Sequence, residues 1–291
     1  MRVLVVGGTR FFGVHLVNEL LSRGHDVTIA TRGKANDHFG NRVGRIFIER
    51  TDEDSLTEAF RDKYFDVVCD NLAYCSNDVK YLLEHIRCGR YVMTSSAAVY
   101  TRQHLCTAEN EFDPLSHPLQ WCDRKDHPYD EVKRQAECAL FQAYHGIQSA
   151  AVRFPFVIGE DDYTRRLYTY VEHAVLKTPI FADNPNEQIS FIRSDEAGKF
   201  LAWTAEQTFT GAINGNNTGT ISLNEIFSHI EEMTGEKAIV VPKGTTAPFN
   251  GQMSFSLDIT RSKDLGYAFT GIRPWIFELL DAYMQKAFLQ P

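Results

Sequence analysis

Apolar positions along the chain alternate between two periods. Residues 2–6, RVLVV, form a continuous apolar run of the kind that sits in a parallel sheet covered on both faces. The spacing then becomes helical: Phe12, Leu16, Leu20 and Leu21 share one stripe through FFGVHLVNELLSRG, which Gly24 stops. DVTIA at 26–30 restores the strand pattern, so this opening stretch has the order and size of a βαβ unit. RIFI (45–48), DVVCD (66–70), RYVMTSS (90–96) and SAAVRF (149–154) repeat the strand signature. Between them, SLTEAFRDKYF (55–65), SNDVKYLLEHIR (76–87) and YDEVKRQAECALFQAYH (129–145) repeat the helical one. The alternation predicts an α/β fold: a Rossmann-like, doubly wound parallel sheet forming a dinucleotide-binding domain over residues 1–155.

Beyond Phe154 the alternation loosens. YTRRLYTYVEHAVLK (163–177), SDEAGKFLAWTAEQ (194–207), SLNEIFSHIEEMTG (222–235) and RPWIFELLDAYMQKAFL (273–289) read as helices, with short strands at ISFI (189–192), GAIN (211–214) and AIVVP (238–242). The pattern predicts a smaller, mainly substrate-binding region over 156–291, interleaved with a strand near 211–215 that returns to the sheet. Neither an internal repeat nor a low-complexity linker interrupts the chain.

With 291 residues and 43% hydrophobic content, the chain is large enough for a sizeable core. A net charge of −8 gives no general attraction to nucleic acid or to an anionic membrane, so neither is an expected partner. The opening MRVLVV lacks the features of a secretory signal and no apolar run has membrane-spanning length, which predicts a cytoplasmic location. The six cysteines, Cys69, Cys75, Cys88, Cys106, Cys122 and Cys138, contain no C-x-x-C pair and read as reduced structural thiols. Ten histidines show no ligand spacing backed by carboxylates, and no metal is expected.

The first strand runs into Gly7-Gly8-Thr9-Arg10-Phe11-Phe12-Gly13, a glycine-rich turn that opens a helix. That context makes the glycines meaningful: backbone N–H groups and the positive helix end would face a dinucleotide pyrophosphate. Whether the fingerprint is anchored on Gly7 or Gly8, its middle glycine is replaced by Arg10. The end of the second strand carries Thr31 and Arg32 in place of the carboxylate that holds the ribose 2′-hydroxyl in NAD-binding sheets. Arg10 and Arg32 together favour NADP, with NAD as the other cofactor; two solvated arginines beside an NAD site are the plainer reading of the same residues.

In YDEVK, Tyr129 and Lys133 are spaced to share one helix face, and Pro128 suits the first helical turn. Taken in order, GGTRFFG, TSSAAVY, YDEVK, RFPFVIGED and FIRSDEAG resemble the extended short-chain dehydrogenase/reductase family, which includes NAD-dependent nucleotide-sugar epimerases and dehydratases. The similarity runs across essentially the whole chain. Arg10, the missing acid near Thr31 and a long polar segment at 101–127 depart from it.

The resemblance implies that Tyr129 is the general acid/base, that Lys133 lowers its pKa and binds the nicotinamide ribose, and that Ser96 holds the reacting oxygen. It also places Glu49 or Arg50 near adenine, Ala73 near the cofactor and Pro155 near nicotinamide, and it implies a homodimer through the Tyr-Lys helix. The implied activity is NAD(P)-dependent oxidation of a hydroxyl or reduction of a carbonyl on a small substrate, with nucleotide sugars among the candidates. Epimerisation with tightly bound NAD is the alternative, and Ala97 and Ala98 stand where dehydratases carry acids. A non-catalytic dinucleotide sensor or RNA-binding protein is the alternative of another class, because GGTRFFG also resembles plant stem-loop RNA-binding members. Arg165, Arg166, Arg193, Arg261 and Arg273 are candidates for a diphosphate anchor, and Asp195 reads as a helix-start acid.

Overall fold

A computed structural model describes residues 1–244 and 246–289. Its elements are β1 (Arg2–Val6), α1 (Phe12–Ser22), β2 (Asp26–Thr31), β3 (Gly44–Phe47), α2 (Glu53–Phe60), β4 (Tyr64–Asp70), α3 (Ser76–His85), β5 (Arg87–Ser96), α4 (Tyr129–Cys138) and β6 (Gln148–Phe154). They continue as β7 (Phe156–Ile158), α5 (Arg166–Val175), β8 (Ile180–Phe181), β9 (Phe191–Arg193), α6 (Ser194–Glu206), β10 (Gly211–Asn214), α7 (Leu223–Thr234), β11 (Val240–Val241), α8 (Thr260–Asp264) and α9 (Ile272–Leu289).

The central sheet has seven strands in the order β10-β6-β5-β4-β1-β2-β3, and every neighbouring pair is parallel. This is the doubly wound sheet the alternation predicts, and GAIN returns to its edge beside β6. Continuous apolar strands follow from coverage on both faces. Val5, Val17, Ile29, Phe200 and Leu201 belong to the core under α1 and α6, whereas Leu4, Leu56, Phe60, Val79, Leu82 and Ala136 belong to the core under α2, α3 and α4. A third core beyond the strand ends joins α5, α7 and α9 through Leu167, Tyr170, Ile226, Ile276 and Leu280. α1 and α6 cross so closely that a Cβ on Gly198 would lie 2.5 Å from the Cβ of His15.

Local chemistry sets the boundaries. Asp52 caps α2 through the N–H groups of Asp54 and Ser55. Ser222 and Glu225 form a capping box on α7, which ends at Gly235 with φ 74°. The helix expected over 55–65 stops at Phe60, because Asp62 turns the chain at φ 57° and Tyr64 and Phe65 join β4 opposite Arg87 and Cys88. Sheet pairing here overrides the helical spacing. The helix expected over 129–145 changes at Ala139 to a π-helical turn ending at Ala143. Ile189 stands outside β9, forming isolated bridges to Ile221 and Phe255. All six cysteines are free. Among the described residues, no helix is long and apolar enough to cross a membrane.

β1 is flanked by β2 on one side and β4 on the other, so chain order reverses there. Crevices at the carboxyl ends of such strands are where open α/β sheets take ligands.

Candidate active site

The glycine turn lies in that crevice. Gly7 and Gly8 have φ 82° and 132°, conformations that L side chains rarely adopt. A Cβ on Gly13 would lie 2.9 Å from the Cα of Gly8, so only glycine lets the first turn of α1 close on the loop. Arg10 is exposed and its backbone lies outside the positive-φ region. The unusual backbone falls instead on Phe11, at φ 54° and ψ −143°, which is unfavourable by about 1–3 kcal/mol. Burial of its ring against Phe12 and Tyr163 offsets that strain.

A cavity of about 620 Å³ opens over the turn. Gly7, Gly8, Thr9, Arg10, Phe11, Phe12, Gly13, Thr31, Arg32, Glu49 and Arg50 all line it. Arg10 and Arg32 are exposed, with no ion-pair partner among the described residues. Arg50 is committed elsewhere: its guanidinium donates to both Asp70 oxygens at 2.8 and 2.6 Å and to the Asp78 carbonyl at 2.6 Å. It therefore builds the cavity wall. Asn71, also in the lining, accepts from Thr94 through Oδ1, while its buried Nδ2 has no partner. A tight glycine turn, a helix N-terminus and an orphaned amide donor fit an anionic dinucleotide.

Ser96, Tyr129 and Lys133 gather at the edge of this crevice, outside the cavity lining itself. Ser96 ends β5, where its hydroxyl accepts from the Ala98 N–H. Tyr129 starts α4 after Pro128 and is 50% exposed. Partial burial raises its phenol above the ordinary value, while hydrogen bonding to Ser96 and the charge of Arg166 act in the opposite direction. Lys133 is buried and donates to the carbonyls of Ala73 and Thr94 at 2.8 and 2.9 Å. Burial lowers its pKa to about 8, opposed by Asp70, Asp78 and Glu137. The lysine is thus turned into the strand ends, and Tyr129 stays on the high side of its usual value. Pro155 sits buried between β6 and β7, outside the cavity lining.

A buried network fixes this floor. Arg153 on β6 pairs with Glu137 on α4, and Glu137 also accepts from Ser95, the neighbour of Ser96. Of the five arginines considered for a substrate anchor, four are engaged: Arg165 by Glu172, Arg193 by Asp195, Arg273 by Glu225, and Arg261 by the carbonyls of Thr210 and Ala212. Arg166 has no ion-pair partner among the described residues and lies 6.0 Å from the Phe156 ring. Asp195 stands in the first turn of α6, held near pKa 2 by Arg193 and Lys199 against the effect of burial. Among the described residues, no group of three His, Cys, Asp or Glu side chains could hold a metal.

Sequence reasoning missed Asn71, Leu72, Tyr74, Asp78, Arg124 and Tyr163, all in the cavity lining. Asn71 alone carried a local signal, as the first residue after a central strand.

The model of the NAD dependent epimerase/dehydratase family matches residues 3–214. Chloroplast stem-loop binding protein of 41 kDa b from Arabidopsis thaliana is 30% identical over 131 residues, 40% of this chain and 35% of that protein. UDP-glucuronic acid decarboxylase 4 from the same plant is 27% identical over 290 residues, 91% of this chain and 64% of that protein. The chain thus spans less than two thirds of the length of either relative. Among solved structures, MoeE5 in complex with UDP-glucose and NAD superposes with a TM-score of 0.76 at 22% identity, over 99% of this chain and 100% of that one. UDP-glucose 4-epimerase from Thermotoga maritima gives 0.77 at 19% identity, over 99% and 100%. At these identities the likeness is one of fold.

Proposed function

The chain belongs to the NAD dependent epimerase/dehydratase family, and from that premise we propose that it is an NAD(P)-dependent enzyme acting on a secondary hydroxyl or carbonyl. The observation that carries this reading is the glycine-turn cavity, with Ser96, Tyr129 and Lys133 gathered at its edge. Gly7 to Gly13 and Asn71 hold the dinucleotide phosphates, and Thr31, Arg32 and Glu49 surround the adenosine ribose. The dinucleotide, when bound, supplies hydride acceptance and donation.

The chain's own residues handle the proton and the alignment. Ser96 donates a hydrogen bond to the reacting oxygen. Tyr129 exchanges the proton on that oxygen, and Arg166 stabilises the phenolate that results. Lys133 anchors the nicotinamide ribose from its seat on the Ala73 and Thr94 carbonyls. The region from 156 onward holds the substrate, with Arg166 as the cation for an acidic group. Arg10, Arg32 and Lys34 line the cavity and β2 ends on Thr31 without a carboxylate, which supports NADP over NAD although Glu49, after β3, lines the same cavity.

Titration of the purified protein with NADPH and NADH, followed by fluorescence, tests the cofactor. Preference for NADPH of tenfold or more, about 1.4 kcal/mol, is expected. Equal affinity or preference for NADH would remove the role of Arg10 and Arg32 and bring nucleotide-sugar epimerisation forward. That second reading is supported by the nucleotide-sugar epimerases among the structural neighbours.

A further inference from the structure

Arg124 lies in the polar segment between the serine and tyrosine motifs, far in sequence from the glycine turn, yet it lines the same cavity. Its position is fixed on three sides. Nε donates to Asp78 Oδ2 at 2.9 Å, Nη2 donates to the Leu72 carbonyl at 2.8 Å, and the guanidinium stacks 4.1 Å from the centre of the Tyr74 ring. Asp78 is itself held by Arg50 and accepts from the Tyr74 N–H at 2.8 Å. Nη1 has no partner among the described residues, and the side chain remains 49% exposed.

Leu72 locates this group relative to the turn. A Cβ on Gly7 would come within 3.0 Å of Leu72 Cγ, so the residue that anchors Arg124 adjoins the glycine loop. A planar cation with an uncommitted N–H edge therefore borders a cavity whose other wall is the N-terminus of α1. Positive groups on two sides of one cleft suit a pair of phosphates.

We propose that Arg124 is a cofactor-binding residue that closes the flank of the dinucleotide cavity and donates from Nη1 to the pyrophosphate, with Tyr74 as its platform. The inference rests on the reading of the cavity as a dinucleotide site. Tyr74 also joins the two halves of the site: Lys133 Nζ lies 4.7 Å from its ring centre, and its ring meets that of Tyr129 edge-on at 6.3 Å. The phosphate contact and the catalytic pair thus share one aromatic support.

Calorimetric titration with NADPH and with 2′-phospho-ADP-ribose, the ligands the cationic cavity lining favours, tests the assignment. Arg124→Gln is expected to weaken both ligands by about 10–100-fold, the range for a charge-assisted hydrogen bond. Arg124→Lys should fall between, retaining the charge without the fork. Thermal melting of the ligand-free variants checks the fold, and the Lys variant carries the test if the Gln variant is unstable. Affinity within twofold of wild type in a folded Arg124 variant overturns the proposal. Loss confined to NADPH would move the contact to the nicotinamide half and overturn the phosphate assignment. A wild-type protein that binds neither ligand would instead refute the dinucleotide reading, and this assignment with it.

Discussion

The pair formed by Arg153 and Glu137 sits under the candidate active site with both side chains fully buried. Arg153 donates from Nε at 3.0 Å and from Nη2 at 2.6 Å to the two carboxylate oxygens. Nη1 and Nη2 also donate to the carbonyls of Glu109 and Phe112, and Nη1 to the Tyr100 hydroxyl, which in turn donates to Asn214. The pair ties α4, β6, β10 and the 109–112 turn to the end of β5. Removing one partner leaves an uncompensated charge in a dry site, a loss of about 3–5 kcal/mol. Glu137→Leu and Arg153→Met should each reach that range. The double variant loses both charges and leaves only neutral groups unpaired, so it should fall by about 1–3 kcal/mol, less than either single change. Urea unfolding at neutral pH, followed by tryptophan fluorescence and circular dichroism, gives the three values. Single losses under about 1 kcal/mol, or a double variant equal to the sum of the singles, would refute the coupling.

Three further outcomes follow from the site. Tyr129→Phe removes the proton-transfer group and should keep dinucleotide affinity while lowering turnover by about 10²–10⁴-fold, measured by cofactor absorbance; unchanged turnover would exclude Tyr129 as the acid/base. Lys133 titrates near 8 in the folded protein, against about 10.4 in an unfolded chain, so between those values the unfolded chain binds more protons and stability rises with pH. Lys133→Met removes this titration and also leaves the Ala73 and Thr94 carbonyls without their donor, so its stability relative to wild type should be highest near pH 7 and fall from about pH 8 to 10.5 in chemical denaturation; a difference independent of pH counts against the depressed lysine. Gly13→Ala places a Cβ 2.9 Å from the Gly8 Cα, so NADPH affinity should drop by at least about tenfold with the circular dichroism spectrum unchanged; wild-type affinity would show that the loop has room to yield.

Periodicity carried the sheet well because its strands are covered on both faces, so continuous apolar runs and intervening stripes each have one packing solution. RVLVV and DVTIA pair in register from Arg2 with Asp26 to Val6 with Ala30. GAIN was legible for the same reason: β10 needs an apolar face to close the sheet beside β6. Boundaries were less legible where pairing or helix geometry decides them. Tyr64 and Phe65 suit either a helix end or a strand start, and only their partners Arg87 and Cys88 settle the choice.

The site divides along a different line. Residues within one contiguous motif, Gly7 to Gly13, could be read because the turn and its helix form one local unit. Asn71, Tyr74 and Arg124 could not, because their common cavity exists only after β4 docks beside β1 and the 101–127 segment folds back over Leu72. Arg10 shows why a departure from a motif must be traced to its physical cause. Its backbone needs no left-handed conformation, and the unfavourable φ is borne next door by Phe11. The fold therefore does not require glycine at position 10. A glycine there would serve only the close approach of a ligand. Replacing it with an exposed arginine in the cavity lining exchanges backbone contact for a cation. That exchange is the physical basis for expecting a phosphate-reading role for Arg10.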